Sequence, residues 1–179
     1  MTKTQFNDIQ EKLKAYRVER DLTYEDHSNG LMANILEELA EYLRAGDDNE
    51  RVDALCDMAV FILNSFEFKK YEIEEILYFL DNKDECFINS TFVNDIFELV
   101  DNYITFGKRD NKYLGRSLFI LFLGIKDKNY DIYKCMLETI KEISSRTGYY
   151  DEIQKKFIKD KNQLNEYKAD YESCKKEII

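Results

Sequence analysis

The chain has 179 residues, 44% of them hydrophobic and 35% charged, with a net charge of −10. That balance fits one domain, residues 1–179, with its own hydrophobic core, and excludes a disordered tail. The excess of acid argues against broad contact with a nucleic-acid backbone or an anionic membrane, so a phosphorylated ligand would need a metal ion as intermediary.

No proline interrupts the chain and it holds only six glycines, a composition of uninterrupted helices joined by short loops. Residues 3 to 20 form a first predicted helix, with Phe6, Ile9, Leu13 and Tyr16 on one face. The leading segment MTKTQFNDIQEKLK lacks the apolar run of a secretory leader, which predicts a cytoplasmic protein. A second helix is expected from Ser28, as N-cap, to just before Gly46, with Met32, Ile35, Leu36, Leu39 and Leu43 as its apolar stripe. Glu37 and Glu41 fall on the far side of that stripe and Glu38 on its flank. The turn AGDDN offers Asp47 or Asp48 as the next cap, with Glu50 placed to close a capping box.

The third helix differs in kind. From Val52 to Leu63 it reads VDALCDMAVFIL, apolar nearly all round, as a buried helix is. Asp57 lies in its middle, where a carboxylate must be neutralised, paired with a cation or bound to metal. Further helices are expected over 73–80, 91–106, 114–125 and 130–143, with a turn at DNKDE and a charged loop at 107–112. Phe92, Ile96, Leu99, Tyr103 and Phe106 are expected inward on one, Ile132, Met136, Ile140 and Ile143 on another, with Asp127 and Asn129 as caps. The apolar runs at 58–63 and 118–123 are too short to cross a bilayer. Four cysteines, Cys56, Cys86, Cys135 and Cys174, form no CxxC pair, so neither a zinc site nor a disulfide framework is indicated, and Cys56 and Cys135 read as small core residues. The polar tail, 144–179, carries Tyr149, Tyr150, Phe157, Tyr167 and Tyr171, which implies that it lies on the helices. Its Arg146, Lys155, Lys156, Lys159, Lys161 and Lys168 are either surface cations covering a helical core or carriers of positive charge toward a phosphate ligand.

Helical spacing stacks Glu37 and Glu38 with Glu41 on the second helix, and Glu50, Asp53 and Asp57 on the third. If the two helices pack antiparallel, these columns face each other and repel unless a cation sits between them. An oxygen-only donor set suits Mg²⁺ or Mn²⁺. Glu38, Glu41 and Asp57 are the candidate metal ligands, with Asp53 or Glu50 completing the group. Glu37 or Glu38 is the candidate base toward a water attacking phosphorus. His27 is the only histidine, which disfavours zinc and the Glu-x-x-His pairs of di-iron bundles. No Gly-rich phosphate loop is present. The competing reading is a solvated acidic face for Glu37 and Glu41, a cap for Glu50 and a structural ion pair or helix-contact hydrogen bond for Asp57.

Glu37-Glu38-Leu39-Ala40-Glu41 matches the EExxE half of an EExxE…ExxD signature. The ExxD half is either Glu50-Arg51-Val52-Asp53 followed by Asp57, or a DELGD-like DALCD ending on Asp57 with Ala54 in the glutamate position. In these residues the chain resembles the all-α nucleotide pyrophosphohydrolase superfamily, MazG-like and dimeric dUTPase-like, and its phage-type members in particular. The resemblance implies an all-α helical bundle completed as a homodimer or homotetramer. It also implies Mg²⁺-dependent cleavage of an NTP or dNTP between the α and β phosphates, giving the monophosphate and pyrophosphate. A helical insertion at about 66–130 would then shape the base pocket. Arg146, Lys156 and Lys159, with Lys168 and Asn34, would contact substrate. A phosphoribosyl-ATP pyrophosphohydrolase-like enzyme is an alternative, and Ala54 leaves open a catalytically silent helical interaction protein.

Overall fold

A computed structural model describes residues 1–82, 92–106, 111–160 and 166–177. Among them are seven α-helices and one two-stranded ribbon: α1 (Lys3–Glu19), α2 (Tyr24–Arg44), α3 (Asp48–Ser65), α4 (Lys70–Asn82), α5 (Phe92–Phe106), α6 (Asn111–Asp127), α7 (Ile132–Ser145), β1 (Gly148–Asp151) and β2 (Lys156–Lys159). The fold is all-α. No helix among the described residues is long and apolar enough to cross a membrane.

Local chemistry sets the helix starts. Thr2 and Gln5 form a capping box for α1. Thr23 and Asp26 do the same for α2, so that helix begins at Tyr24 rather than at Ser28. Ser28 is instead buried one turn inside, and its carbonyl accepts the Tyr103 hydroxyl at 2.8 Å. Asp47 caps α3 by accepting the Glu50 N–H at 2.9 Å. Asp131 caps α7, in place of the expected Asp127 or Asn129. Asp127 is the last residue of α6, and Asn129 makes the turn with a left-handed φ of 68°. The fourth helix outruns its expected 73–80 at both ends and takes Asp81 and Asn82 of DNKDE into its last turn. The rest of that turn, Cys86, Thr91, residues 107–110 of the charged loop, Lys161, and the side chains of Phe92 and Phe106 lie outside the described residues.

α3 is the axis of the core. Val52, Leu55, Cys56, Met58, Ala59, Ile62 and Leu63 are buried, and α1, α2, α6 and α7 all pack on it. Gly124 lets α6 close over Leu55, since a Cβ there would sit 3.3 Å from a Leu55 methyl. Leu55→Ala is expected to cost about 2–5 kcal/mol in urea unfolding, from lost transfer energy plus the cavity left behind. The buried line of α2 is Leu31, Ile35 and Leu39. Leu36, one residue and about 100° off that line, is 42% exposed, and Leu43, in the final turn, 63%, so both leave the expected apolar stripe.

The tail has more order than its composition implies. β1 and β2 pair antiparallel from Gly148 opposite Lys159 to Asp151 opposite Lys156. A Cβ at Gly148, whose φ is 156°, would lie 2.0 Å from the Ile158 carbonyl oxygen, so the ribbon closes only around glycine. Residues 166–177 then form a strap back along α7. The Ala169 N–H donates to Glu142 at 2.8 Å and the Asp170 N–H to Glu138 at 3.0 Å. The strap ends beside the α6–α7 turn, where the Asp131 N–H donates to the Cys174 carbonyl and the Lys176 N–H to that of Asn129, both at 2.9 Å. Cys56, Cys135 and Cys174 are buried free thiols, the first two in the core as expected.

Candidate functional site: an acidic groove between α2 and α3

The turn at 45–47 folds α3 back along α2, and these two helices share the most extensive packing in the chain. Glu38 and Asp57 are half-buried on the facing sides. Burial pushes the Glu38 carboxyl up to about 9, and the charges of Asp57, Glu41, Asp53 and Glu37 reinforce the shift. Asp57 is pushed up to about 7 by burial and then by Asp53, against the pull of Arg146 and Lys159. Asp53, also half-buried, is raised by burial and partly restored by a hydrogen bond from Tyr171. The acids thus crowd one another with too little positive charge between them.

Glu41 lies exposed at the rim of this group and adds its field to Glu38 and Asp53. Glu37 is exposed and ion-paired with Lys156, 3.1 Å away on β2. Glu50 does not belong to the group. Its carboxylate accepts the Gly46 N–H at 2.6 Å and closes the turn before α3, a local bond that holds it at the helix start. Ala54 is buried one turn before Asp57, and Asp53 supplies the carboxylate on that side. Asn34 is buried one turn ahead of Glu38 on the same helix face.

The tail supplies the cations. Arg146, the C-cap of α7, pairs with Glu142 and, at 3.0 Å, with Glu166, while its charge reaches Asp57. Lys159 at the end of β2 acts on Asp57 as well. Lys168 is different: its side chain is 72% exposed and it sits behind Glu142 and Glu166, at 3.4 and 3.5 Å. It is therefore held by acids of the tail and α7 rather than turned toward α2 and α3.

Two partners of the groove had no sequence signal beyond the tail's aromatic content. Tyr171 donates its hydroxyl hydrogen bond to Asp53 at 2.8 Å. The ribbon docks on α2 at Gly30, where a Cβ would lie 2.1 Å from the Lys155 carbonyl oxygen, and the Tyr150 hydroxyl donates to the Asp26 carbonyl at 2.8 Å. Gly30→Ala is expected to lift the ribbon from α2. Limited trypsin digestion should then cut after Lys155 or Lys156 several-fold faster than in the parent, and equal rates would show that the contact does not hold the ribbon.

The donor set of Glu38, Glu41, Asp53 and Asp57 is oxygen-only, as a hard divalent cation requires. Among the described residues no three acidic, histidine or cysteine side chains close on a common point at coordination distance. Comparison of the chain with protein-family models, with curated proteins and with solved structures gives no match.

Proposed function

We propose that the chain is a Mg²⁺-dependent nucleoside triphosphate pyrophosphohydrolase of the MazG-like and dUTPase-like type. The observation that carries this is the crowding of Glu38, Asp53 and Asp57 on facing helices, with Glu38 held near 9 and Asp57 near 7. Uncompensated acids at such positions are a cost to the fold that a bound divalent cation removes. Glu38, Glu41, Asp53 and Asp57 would hold Mg²⁺ or Mn²⁺, which supplies charge neutralisation between these acids and a triphosphate. Glu37, outside that set and within reach of Lys156, is the better base for a water attacking phosphorus. For that its carboxylate exchanges the lysine for the water, and Lys156 is released toward phosphate. Arg146 and Lys159, whose charges reach Asp57, would meet the remaining phosphate charge.

A homodimer or homotetramer fits the exposure of Leu36 and Leu43, seven residues apart on the outer side of α2. We place the reaction in the cytoplasm. A catalytically silent helical protein is the second reading, favoured by the open arrangement of the acids and by Ala54.

Incubation with each NTP and dNTP, with and without Mg²⁺, followed by ion-exchange separation, tests the proposal. Monophosphate plus pyrophosphate, only with metal, is the expected outcome. Diphosphate plus inorganic phosphate refutes the assigned bond, and no turnover of any nucleotide favours the silent protein.

A further inference from the structure

The strap places one side chain on a groove acid. The Tyr171 ring is 6% exposed. Its hydroxyl lies 2.8 Å from Asp53 Oδ1 and 2.9 Å from Thr139 Oγ1, and Thr139 Oγ1 lies 2.9 Å from the Cys135 carbonyl oxygen. Two hydroxyl protons therefore serve three contacts. A carboxylate only accepts, so with Asp53 ionised the Tyr171 proton goes to Asp53. The Tyr171 oxygen is then free to accept, while the single Thr139 proton faces two acceptors, the Cys135 carbonyl oxygen and the Tyr171 oxygen. The Tyr171–Asp53 bond is charge-assisted, and Thr139 Oγ1 packs against the hydroxyl that makes it.

We propose that Tyr171 is a positioning residue: through this hydrogen bond the C-terminal strap fixes one oxygen of Asp53 and leaves the other for the groove. The role rests on Asp53 serving the cation site proposed above. The strap itself is pinned by Glu138, Glu142 and the α6–α7 turn, so the hydroxyl is held by the bundle rather than by a mobile end. A carboxylate with a fixed outer partner loses less rotamer freedom when it captures a cation, and removal of such partners typically weakens metal affinity about 10–100-fold.

The test is a Mn²⁺ titration of the nucleotide-free protein, followed by the electron-spin resonance of the free ion, on the parent, Y171F, D53N and Y171F/D53N. Y171F keeps the ring, and its melting temperature and helical signal check that the fold persists. Expected is an affinity at least tenfold weaker for Y171F, with Y171F/D53N no weaker than D53N alone, because Tyr171 acts through Asp53. Parent-like affinity in Y171F overturns the inference, as does a Y171F loss that persists undiminished in the D53N background. If Y171F fails to fold, Tyr171→Met carries the test, since it removes the hydroxyl and fills the site with an adaptable apolar side chain: an affinity at least tenfold weaker supports the positioning role and parent-like affinity overturns it. A parent protein that takes up no Mn²⁺ refutes the cation site itself, and this inference with it, and is distinguished from a failure at Tyr171 alone by the parent titration.

Discussion

Asp57→Asn is expected to abolish nucleotide turnover while leaving the helical signal intact. Asp57 sits mid-way along the helix on which the core is assembled, so its backbone position is set by Leu55, Cys56, Met58 and Ala59 packed around it and not by the carboxylate. Asparagine preserves the shape and removes the charge. Loss of one anionic ligand to a cation that neutralises phosphate removes several kcal/mol of transition-state stabilisation, about a hundredfold or more in rate. The same substitution is expected to raise the melting temperature of the metal-free protein above neutral pH, because it deletes a charge that burial and Asp53 disfavour. A variant with full activity would remove Asp57 from the site. A variant with no activity and a collapsed helical signal would instead show that the carboxylate holds the fold.

The second large effect is a fall in metal-free stability as pH rises. Asp57 moves from an ordinary 3.8 to about 7 on folding and Glu38 from 4.5 to about 9. Both folded values lie above the unfolded ones, so the folded chain binds protons more tightly and stability drops as pH climbs from about 4 toward 9. A tenfold gain in a carboxyl group's proton affinity on folding is worth about 1.4 kcal/mol. The two groups interact and both keep some solvent contact, so a few kcal/mol in all is the expected scale. For a chain of this length that is a drop in melting temperature of about 5–10 °C between pH 6 and pH 9. Millimolar Mg²⁺ is expected to restore most of it, since a cation that binds the ionised acids stabilises the folded state alone. Scanning calorimetry at the two pH values, with and without Mg²⁺, checks this. A flat metal-free profile would contradict the crowding of these acids. A sloping profile that Mg²⁺ leaves untouched would keep the crowding and reject the cation.

How far the residues announce this arrangement differs from element to element. The run VDALCDMAVFIL in α3 is apolar at every position but Asp53 and Asp57, which share one face, and a helix of that kind has nowhere to go but the core, so its burial and the peculiarity of Asp57 are legible without coordinates. Glu37, Glu38 and Glu41 are equally legible as a helical set, but not their separate fates. Lys156, a cation far along the chain, takes Glu37, and only the folded ribbon brings it there. Glu50 carries two local meanings, cap and ligand, and the short-range bond to Gly46 decides for the helix start. Ser28, at the edge of the apolar stripe, draws the expected start of α2 too far along the chain, whereas Thr23 and Asp26 satisfy each other's backbone groups one turn earlier. In the tail, strands of four residues each are too short for alternation to be read. Gly30 and Gly148 matter through carbonyls contributed by the tail's ribbon, which no local pattern encodes for Gly30. Tyr171 indicates that the tail must lie on something. That it reaches Asp53, across Thr139 of α7, is a tertiary fact.

On the proposed reading, the acids of α2 and α3 converge on a divalent cation that grips a triphosphate. The most direct test is a crystal of the protein with Mn²⁺ and a deoxynucleotide analogue carrying an uncleavable α,β linkage, with the metal located by anomalous scattering. The account predicts a peak between α2 and α3, ligated by Glu38, Glu41, Asp53 and Asp57, with phosphate oxygens completing the shell. Ordered analogue elsewhere on the surface, with Glu38, Glu41 and Asp57 pointing apart and no peak between the helices at saturating Mn²⁺, would contradict it.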